Sequence, residues 1–371
     1  MEKNEYLLLA GIAGIFLLFY FLPPNSEWFN SSVLSGLNLL GDYAKQHVLT
    51  CLVPALFIAG AITVFIKKEK VMKYLGAEAN IYVSYGVAAV TGVILAVCSC
   101  TILPLFAGIR KRGAGLGPAI TFLFAGPAIN IAAIFLTFSV LGVEIGTGRV
   151  VASVLLSIVV GATMAFIFRE KVEKGKLFIE ESEEVKISNA VLALFFGLMV
   201  GVLVVNGLQI DQMIKYSLMA LFTLGVVGLV LLKFKNHIWD RWLAETWDFS
   251  KIILPLLFVG VFIAGFVMPL IPEELVVSLV GSNSVEGNLV ASIFGAFMYF
   301  STLTEIPILQ VLIAKGMAAG PALALLLAGP SLSLPNMLVI RGIMGTKKTA
   351  VYVALVIFYA TLAGFVFGFV A

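Results

Sequence analysis

The sequence has few of the charged and metal-binding residues that soluble enzymes and nucleic-acid-binding proteins use. Its 371 residues include 24 lysines and arginines, 21 aspartates and glutamates, two histidines and three cysteines. Charged residues make up 12% of the chain, whereas roughly 25% is typical of soluble domains. A net charge of +3 is too small to indicate nucleic acid as a partner. Three cysteines that lie in or beside apolar segments also argue against a disulfide framework of the secreted kind.

A phosphate-binding loop of the type G-x-x-x-x-G-K-[ST] is absent from the sequence. Too little polar sequence remains to form a nucleotide-binding domain. We therefore expect neither an enzyme nor a bound cofactor. Any transport would then be driven by an ion gradient or by the gradient of the solute itself.

Hydrophobic residues, in contrast, make up 61% of the chain, and the mean hydropathy is +1.07. Apolar runs of about 17 to 25 residues recur, which is the length that an α-helix needs to cross a hydrocarbon layer about 30 Å thick. The sequence therefore predicts an all-α, multi-pass protein of the plasma (inner) membrane with eleven spanning helices. They are expected near 7–22, 48–66, 82–109, 114–141, 150–168, 190–206, 216–232, 252–270, 288–314, 317–340 and 349–370.

Two halves of the sequence resemble each other when one is shifted by 203 positions. The shift superposes Gly117-Pro118-Ala119 on Gly320-Pro321-Ala322, Ala125-Gly126-Pro127 on Ala328-Gly329-Pro330, Pro104 on Pro307 and Arg112-Gly113 on Lys315-Gly316. We therefore predict an internal repeat, as in many transporters. The predicted divisions are a first membrane repeat at 1–168, a polar linker at 169–189, a connecting helix at 190–206 and a second repeat at 207–371. The repeats are parallel if the connecting helix crosses the membrane and inverted if it does not.

Segments outside the apolar runs indicate how the chain lies in the bilayer. The stretches 28–46 and 236–250 mix tryptophan, tyrosine, asparagine and charges with apolar residues, as helices on a membrane surface do. We predict that each precedes a span as a separate surface helix. The side that holds Arg110, Lys111 and Arg112 is richer in lysine and arginine, which predicts that it is cytoplasmic, with the N-terminus outside and the C-terminus inside.

Helix-breaking residues fall partway along several spans, which predicts discontinuous helices. Proline removes a backbone donor and clashes with the preceding turn, so half-helices are expected to begin at Pro127 and Pro330. Freed backbone groups inside a membrane are tolerated where they line protein or a wet cavity, and paired breaks are typical of a transport site. The alternative is that these residues only kink helices for packing. The candidate site residues at the breaks are Pro104, Gly126, Pro127, Asn130, Pro307, Gly329, Pro330, Ser331, Ser333 and Asn336.

Glu305, which follows Thr304 near Pro307, is the one ionisable residue inside the spans as drawn. A charged group at membrane depth costs at least about 2.5 kcal/mol, so an unpaired carboxylate would be protonated or would find a partner. Both outcomes suit a carrier that couples to protons or binds a cation. The alternative is a protonated carboxyl group that caps freed backbone donors as a purely structural element.

Cys98 and Cys100, with Thr101 beside them, form the second candidate site. Thiolates are soft ligands, and two of them at a break could bind a soft cation or a trivalent metalloid. Buried cysteines also serve as small apolar fillers, which is the interpretation that we favour for Cys51. A further alternative is a membrane thiol redox protein that exchanges electrons with a thioredoxin-like partner. A channel is the third class.

Residues 98–137, CSCTILPLFAGIRKRGAGLGPAITFLFAGPAINIAAIFLT, resemble the predicted permeases of the YraQ and ArsP type. Residues 304–340 are similar to the YraQ-like branch. The resemblance implies a transporter fold, and for ArsP-like relatives it implies efflux of methylated trivalent arsenicals with a thiol pair at Cys98 and Cys100. The chain departs from that pattern at Thr101, where arsenical-type relatives often have glycine, which counts against an arsenical substrate.

The leading interpretation is a secondary transporter, an ion-coupled permease or efflux carrier for a small solute. The solute could be a soft metal, a metalloid or a sulfur-containing compound. Glu305 is the expected site of proton coupling, and Cys98 and Cys100 are the expected substrate thiols. The expected partners are the lipid bilayer and a small solute or ion.

Overall fold

The computed structural model is all-α in the part of the chain that it describes. That part has no β-strand, as the run lengths predicted. The described residues are 20, 26–66, 68–76, 79–95, 99–129, 131–169, 188–207, 211–234, 236–270, 278–298 and 305–371.

The first half of the chain contains eight of the described α-helices. A π-helical segment, Ala44–Leu52, joins the first two without a break. In chain order they are α1 (Glu27–Tyr43), α2 (Val53–Phe65), α3 (Lys68–Leu75), α4 (Ile81–Leu95), α5 (Ser99–Lys111), α6 (Leu116–Ala128), α7 (Ile131–Val140) and α8 (Gly142–Ile167).

The remaining described helices follow residue 188. A short 3₁₀ turn, Met268–Leu270, ends the longest of them. They are α9 (Asn189–Gly207), α10 (Gln212–Lys233), α11 (Asn236–Val267), α12 (Val285–Phe297), α13 (Glu305–Ala314), α14 (Ala319–Ser331), α15 (Leu334–Met344) and α16 (Thr346–Phe367).

Several of these helices are long and apolar enough to cross a membrane, which confirms a polytopic membrane protein. Among the described residues there are five, or seven if each of two bent helix pairs is counted as one span. Eleven crossings stays a prediction, since the first predicted span lies almost wholly outside the described residues. The five are Val48–Phe65, Gly142–Ile167, Gln212–Lys233, Ile238–Leu270 and Thr346–Phe367.

The two bent pairs are α6 with α7 and α14 with α15. They bend by 46° and 47°. Helices α6 and α14 begin at residues 116 and 319 and end at residues 128 and 331, so both ends are 203 positions apart. Helices α7 and α15 begin at 131 and 334, which is the same separation. These bounds support the predicted internal repeat, which we retain as a proposal.

The breaks fall just after the prolines that predicted them. Pro127 and Pro330 lie inside the last turn of α6 and α14, so the expectation that half-helices begin at these prolines was wrong. The reason is that proline has a helical φ, and only the bond that its own missing N–H would make is lost. The chain closes one more turn, where Ile129 donates its backbone N–H to the Ala125 carbonyl at 3.0 Å.

The polar segment 236–250 does not form a separate surface helix. It is continuous with the following span in α11, which runs through Pro255 without ending. Trp242 is buried and donates its indole N–H to the carbonyl oxygen of Phe57 at 2.7 Å. Trp242 therefore packs against α2, because an indole ring can bury its apolar face and still satisfy its N–H.

Helices α6 and α14 occupy the interior of the protein. Each lies between two partners from its own half, α4 and α8 for α6, and α12 and α16 for α14, and α6 also contacts α14. Close approach is made possible by Gly161 in α8, where a methyl group would lie 2.7 Å from the Gly117 carbonyl oxygen. Gly364 in α16 approaches the Gly320 carbonyl in the same way, at 2.6 Å. The breaks at the ends of α6 and α14 consequently lie inside the protein.

Candidate transport site

The second break places several polar side chains in the buried interior. Ser331, Ser333 and Asn336 are each at most 3% exposed. Ser333 has a φ of 34°, a value that residues other than glycine seldom adopt. The Ser331 hydroxyl donates to the Leu327 carbonyl at 2.9 Å, whereas the Ser333 hydroxyl has no hydrogen-bond partner among the described residues. Among the described groups at this break, the Ser333 hydroxyl therefore remains available for a hydrogen bond.

Glu305 lies beside this break and faces the protein interior. It is the first residue of α13 and is 1% exposed. A methyl group added at Gly329 would lie 2.7 Å from Oε1 of Glu305, so the absence of a side chain at Gly329 makes room for the carboxyl group. Neither carboxyl oxygen has a hydrogen-bond partner among the described residues. A purely structural cap would be expected to use those oxygens, and no described group bonds them here.

Arg149 of α8 is the charged neighbour of Glu305. Its side chain is fully buried, and its Nη2 lies 3.9 Å from Oε2 of Glu305. The Arg149 Nη1 donates to the Thr137 hydroxyl at 2.9 Å, and Nε makes a longer contact of 3.4 Å to the Ala128 carbonyl oxygen. Ala128 ends α6, so Arg149 connects the first break to the carboxyl group beside the second.

The Arg149–Glu305 pair is an ion contact that lacks a direct hydrogen bond. Charge-assisted N–H···O bonds are about 2.7 to 2.9 Å long, shorter than the 3.9 Å between these atoms. Nη2 of Arg149 has no hydrogen-bond partner among the described residues. Removing one member of a buried pair typically costs about 3 to 5 kcal/mol, because the other charge is then left uncompensated. Each charge therefore compensates the other, and both side chains retain atoms that can hydrogen-bond a further group.

Tyr352 makes the corresponding contact in the second half. It is 203 positions after Arg149 and is also fully buried in the equivalent helix, α16. Its hydroxyl donates to the carbonyl oxygen of Ser331 at 3.2 Å, and Ser331 ends α14 as Ala128 ends α6. Both breaks are thus braced from the helix that follows the bent pair, but only the first brace carries a charge.

Known proteins place the chain in a family. A family model named ArsP_1, described as a predicted permease, matches residues 33–369. The chain belongs to this permease family. The UPF0718 protein MJ0584 of Methanocaldococcus jannaschii is 42% identical over 351 residues, which cover 90% of this chain and 95% of that protein. No solved structure matches the chain.

A more distant relative is the UPF0718 protein YraQ of Escherichia coli. It is 22% identical over 245 residues, which cover 66% of this chain and 56% of that protein. The family match and the apolar helices together show that the chain is a multi-pass permease of the plasma membrane. The resemblance drawn from residues 98–137 and 304–340 is confirmed.

Sequence reasoning missed Arg149 of the permease. The predicted fifth span begins at residue 150, so it leaves out Arg149. The helix begins at Gly142, where a φ of 91° starts a new direction of the chain. The signal that could have found Arg149 is the 203-residue shift, which superposes it on Tyr352 within a predicted span.

The predicted thiol site of the permease lies largely outside the described residues. Cys98 is not described, and of Cys100 only the backbone is, near the start of α5. Thr101 contacts Cys51 instead, with 2.8 Å between its hydroxyl oxygen and the buried thiol sulfur. The described residues contain no group of three potential metal ligands of the His, Cys, Asp and Glu types.

The other predicted site residues are distributed as follows. Pro104 is inside α5, and Gly126 is inside α6. Pro307 is in the first turn of α13, where only its backbone is described. Asn130 and Thr304 lie outside the described residues. The structure brings together Glu305 with Gly329, and Arg149 with both Glu305 and the end of α6.

Proposed function

We propose that this permease is a secondary transporter for a small solute, in which the Arg149–Glu305 pair is the coupling site. The observation that carries the proposal is a buried pair between two helix breaks whose facing atoms are 3.9 Å apart without a hydrogen bond. A pair held only for stability would be expected to form direct bonds, because burial of unsatisfied charge is costly. An incompletely bonded pair can be opened by a proton or a solute at smaller cost.

A proton is a better coupling ion for Glu305 than a metal cation. The guanidinium group of Arg149 stands next to the carboxyl group, and it would repel a bound cation at membrane depth. In the part of the chain that the structure describes, α7 and α14 pack against α13, and neither helix contains a carboxylate. A single carboxylate beside a fixed positive charge cannot complete the six or more oxygen ligands that hard cations usually take.

The helix breaks supply the flexible part of the mechanism. Transporters with paired discontinuous helices alternate access by moving one bundle against the other around a fixed site. Arg149 belongs to the first predicted repeat and Glu305 to the second. Protonation of Glu305 would weaken the attraction between the halves, which would let them separate on one side of the membrane.

The substrate proposal keeps the classes that the sequence indicated, namely a soft metal, a metalloid or a sulfur-containing compound. Cys98 and Cys100 would bind a soft substrate. Thiol alkylation from each side of sealed vesicles separates this role from redox exchange with a thioredoxin-like partner. Rapid disulfide formation that removes labelling would favour redox work.

The test of the proposed function is transport by the full chain in proteoliposomes that contain a pH-sensitive dye. Arsenicals, divalent metals and sulfur oxyanions are added singly, and saturable solute uptake is measured together with the pH signal. Glu305→Gln should abolish the pH signal, whereas Glu286→Gln, which changes an exposed glutamate of α12, should leave it unchanged. Wild-type coupled transport by Glu305→Gln would refute the proposal, and flux that neither saturates nor responds to a proton gradient would indicate a channel.

A further inference from the structure

The Arg149–Glu305 pair has a charge balance that restricts what can bind beside it. With both groups ionised the pair is neutral. The other described helices that pack on α13, namely α7 and α14, contain no titratable residue, and Glu305 is the only one within α13 itself. Arg149 is the charged residue of α8 that faces it. Any change in the protonation of Glu305 therefore leaves a net charge in this buried region unless another ion arrives.

Protonation of Glu305 leaves the guanidinium group of Arg149 without its counter-ion. That group is fully buried, and its Nη2 has no hydrogen-bond partner among the described residues. Its other nitrogens are anchored on Thr137 and Ala128, so the side chain remains held beside the carboxyl group. A positive charge that is buried and unpaired is strongly unfavourable. A small anion would restore neutrality.

We propose that this site binds a small monovalent anion on Arg149 when Glu305 is protonated, so that the permease moves one proton together with one anion. The inference rests on the proposed transport function and assigns an anion to the Arg149–Glu305 site, apart from the thiols proposed for a soft solute. The empty site, with Arg149 and the Glu305 carboxylate, is neutral. The loaded site, with Arg149, the anion and the Glu305 carboxylic acid, is neutral as well.

The coupling follows from the two states that this balance disfavours. A proton without an anion leaves a charge of +1 at the site, and an anion without a proton leaves −1. Burial disfavours both charged states, so the proton and the anion bind together and leave together. A divalent anion would leave −1 even with Glu305 protonated, which explains the preference for a single charge.

The protonated carboxyl group also contributes a hydrogen-bond donor. A carboxylic acid offers one O–H, and neither oxygen of Glu305 is used by another described group. The anion would thus be held by Nη2 of Arg149 on one side and by the Glu305 O–H on the other. The close approach of Gly329 to Oε1 limits the space there, which favours an anion of few atoms.

The test is binding of chloride, bromide and nitrate to the purified full chain in detergent, followed by thermal unfolding. These probes remain monovalent across the pH range, and gluconate keeps the ionic strength constant. Bound ligand raises the unfolding temperature by mass action. We expect stabilisation by at least one of the three at low pH, and an apparent affinity that falls about tenfold for each unit of rising pH in the range where one proton must be taken up with the anion.

Variants distinguish this site from general salt effects. Glu305→Gln mimics the protonated carboxyl group in charge, so its anion affinity should no longer depend on pH. Arg149→Gln should lose the stabilisation by anions. Arg149→Lys keeps the charge and should retain part of this stabilisation, and it serves as the test if Arg149→Gln does not fold. Arg241→Gln, at an exposed arginine of α11, is the matched control and should behave as wild type.

Two results would overturn the anion proposal. One is that none of the three anions stabilises the wild-type chain at low pH. The other is equal stabilisation of the wild type and Arg149→Gln. Coupled transport of another solute that depends on Glu305, in the absence of anion binding, would refute this inference alone and leave the proposed function standing. Anion binding without any coupled transport would refute the proposed function.

Discussion

Arg149 and Tyr352 are 203 residues apart, and each donates a hydrogen bond to the carbonyl oxygen that ends a helix directly before a break. The acceptors are Ala128 and Ser331, which are also 203 residues apart. The geometry of the bracing is shared, but the chemistry is not, since one donor is a cation and the other a neutral phenol. The position equivalent to Glu305 is occupied by Ile102. The charge pair is therefore built from one residue of each half, where it can respond to their relative movement.

The phenolic brace should matter for stability and not for coupling. Tyr352→Phe removes one buried hydrogen bond to Ser331, and loss of the donor should lower the free energy of unfolding by about 1 to 3 kcal/mol, because the carbonyl oxygen is left unsatisfied. Thermal unfolding in detergent measures the loss. The pH signal in proteoliposomes should stay within twofold of wild type, and its disappearance would show that the tyrosine belongs to the coupling machinery.

Arg149 should show strong energetic coupling to Glu305. Arg149→Gln and Glu305→Gln are each expected to cost about 3 to 5 kcal/mol of stability, because each leaves an unpaired buried charge. The double variant contains neither charge, so it should be more stable than the sum of the single losses predicts. Unfolding of the four proteins at one pH gives the interaction energy. Strict additivity would contradict the view that these groups compensate each other.

The sequence predicted the class of the fold and the approximate position of the breaks for physical reasons that can be named. Apolar runs of membrane-spanning length leave few alternatives to helices, and the repeated Gly-Pro pairs at 126–127 and 329–330 marked both bends. The exact break was misplaced, because a proline near the end of a helix removes only one bond and the final turn still closes. Which residues flank such a turn depends on tertiary packing.

The site was only half visible in the sequence for a similar reason. Glu305 stood out because a carboxylate in an apolar run is rare. Arg149 did not, because it lies close to the start of its helix, where arginine ordinarily marks a membrane boundary. Only the three-dimensional arrangement, in which α8 carries Arg149 against Glu305, shows that it is buried. The continuity of α11 was missed because the tryptophans and charged residues of 236–250 are typical of a helix on the membrane surface.

The space beside Glu305 should be sensitive to a single methyl group. Gly329→Ala would place its Cβ 2.7 Å from Oε1 of Glu305, so the carboxyl group must move. We expect a destabilisation of about 1 to 3 kcal/mol from overpacking and at least a tenfold slower pH signal in proteoliposomes. Gly228→Ala is the matched control, since a methyl group there meets no atom within 4 Å. A wild-type pH signal from Gly329→Ala would show that the position of this carboxyl group is not critical.

The packing of α8 on α6 gives a prediction that does not depend on the transport proposal. Gly161→Ala would bring a methyl group to 2.7 Å from the Gly117 carbonyl oxygen and also against the Thr121 hydroxyl. The hydroxyl can rotate, but a backbone carbonyl inside a helix cannot move without shifting the helix, so α6 and α8 must separate. Overpacking of this kind costs about 1 to 3 kcal/mol.

Gly228→Ala in α10 should instead be neutral or stabilising by up to about 1 kcal/mol, because alanine favours the helix over glycine. Thermal unfolding of the two variants in the same detergent compares them directly, and equal stability would contradict the close α6–α8 contact on which the buried position of the first break depends.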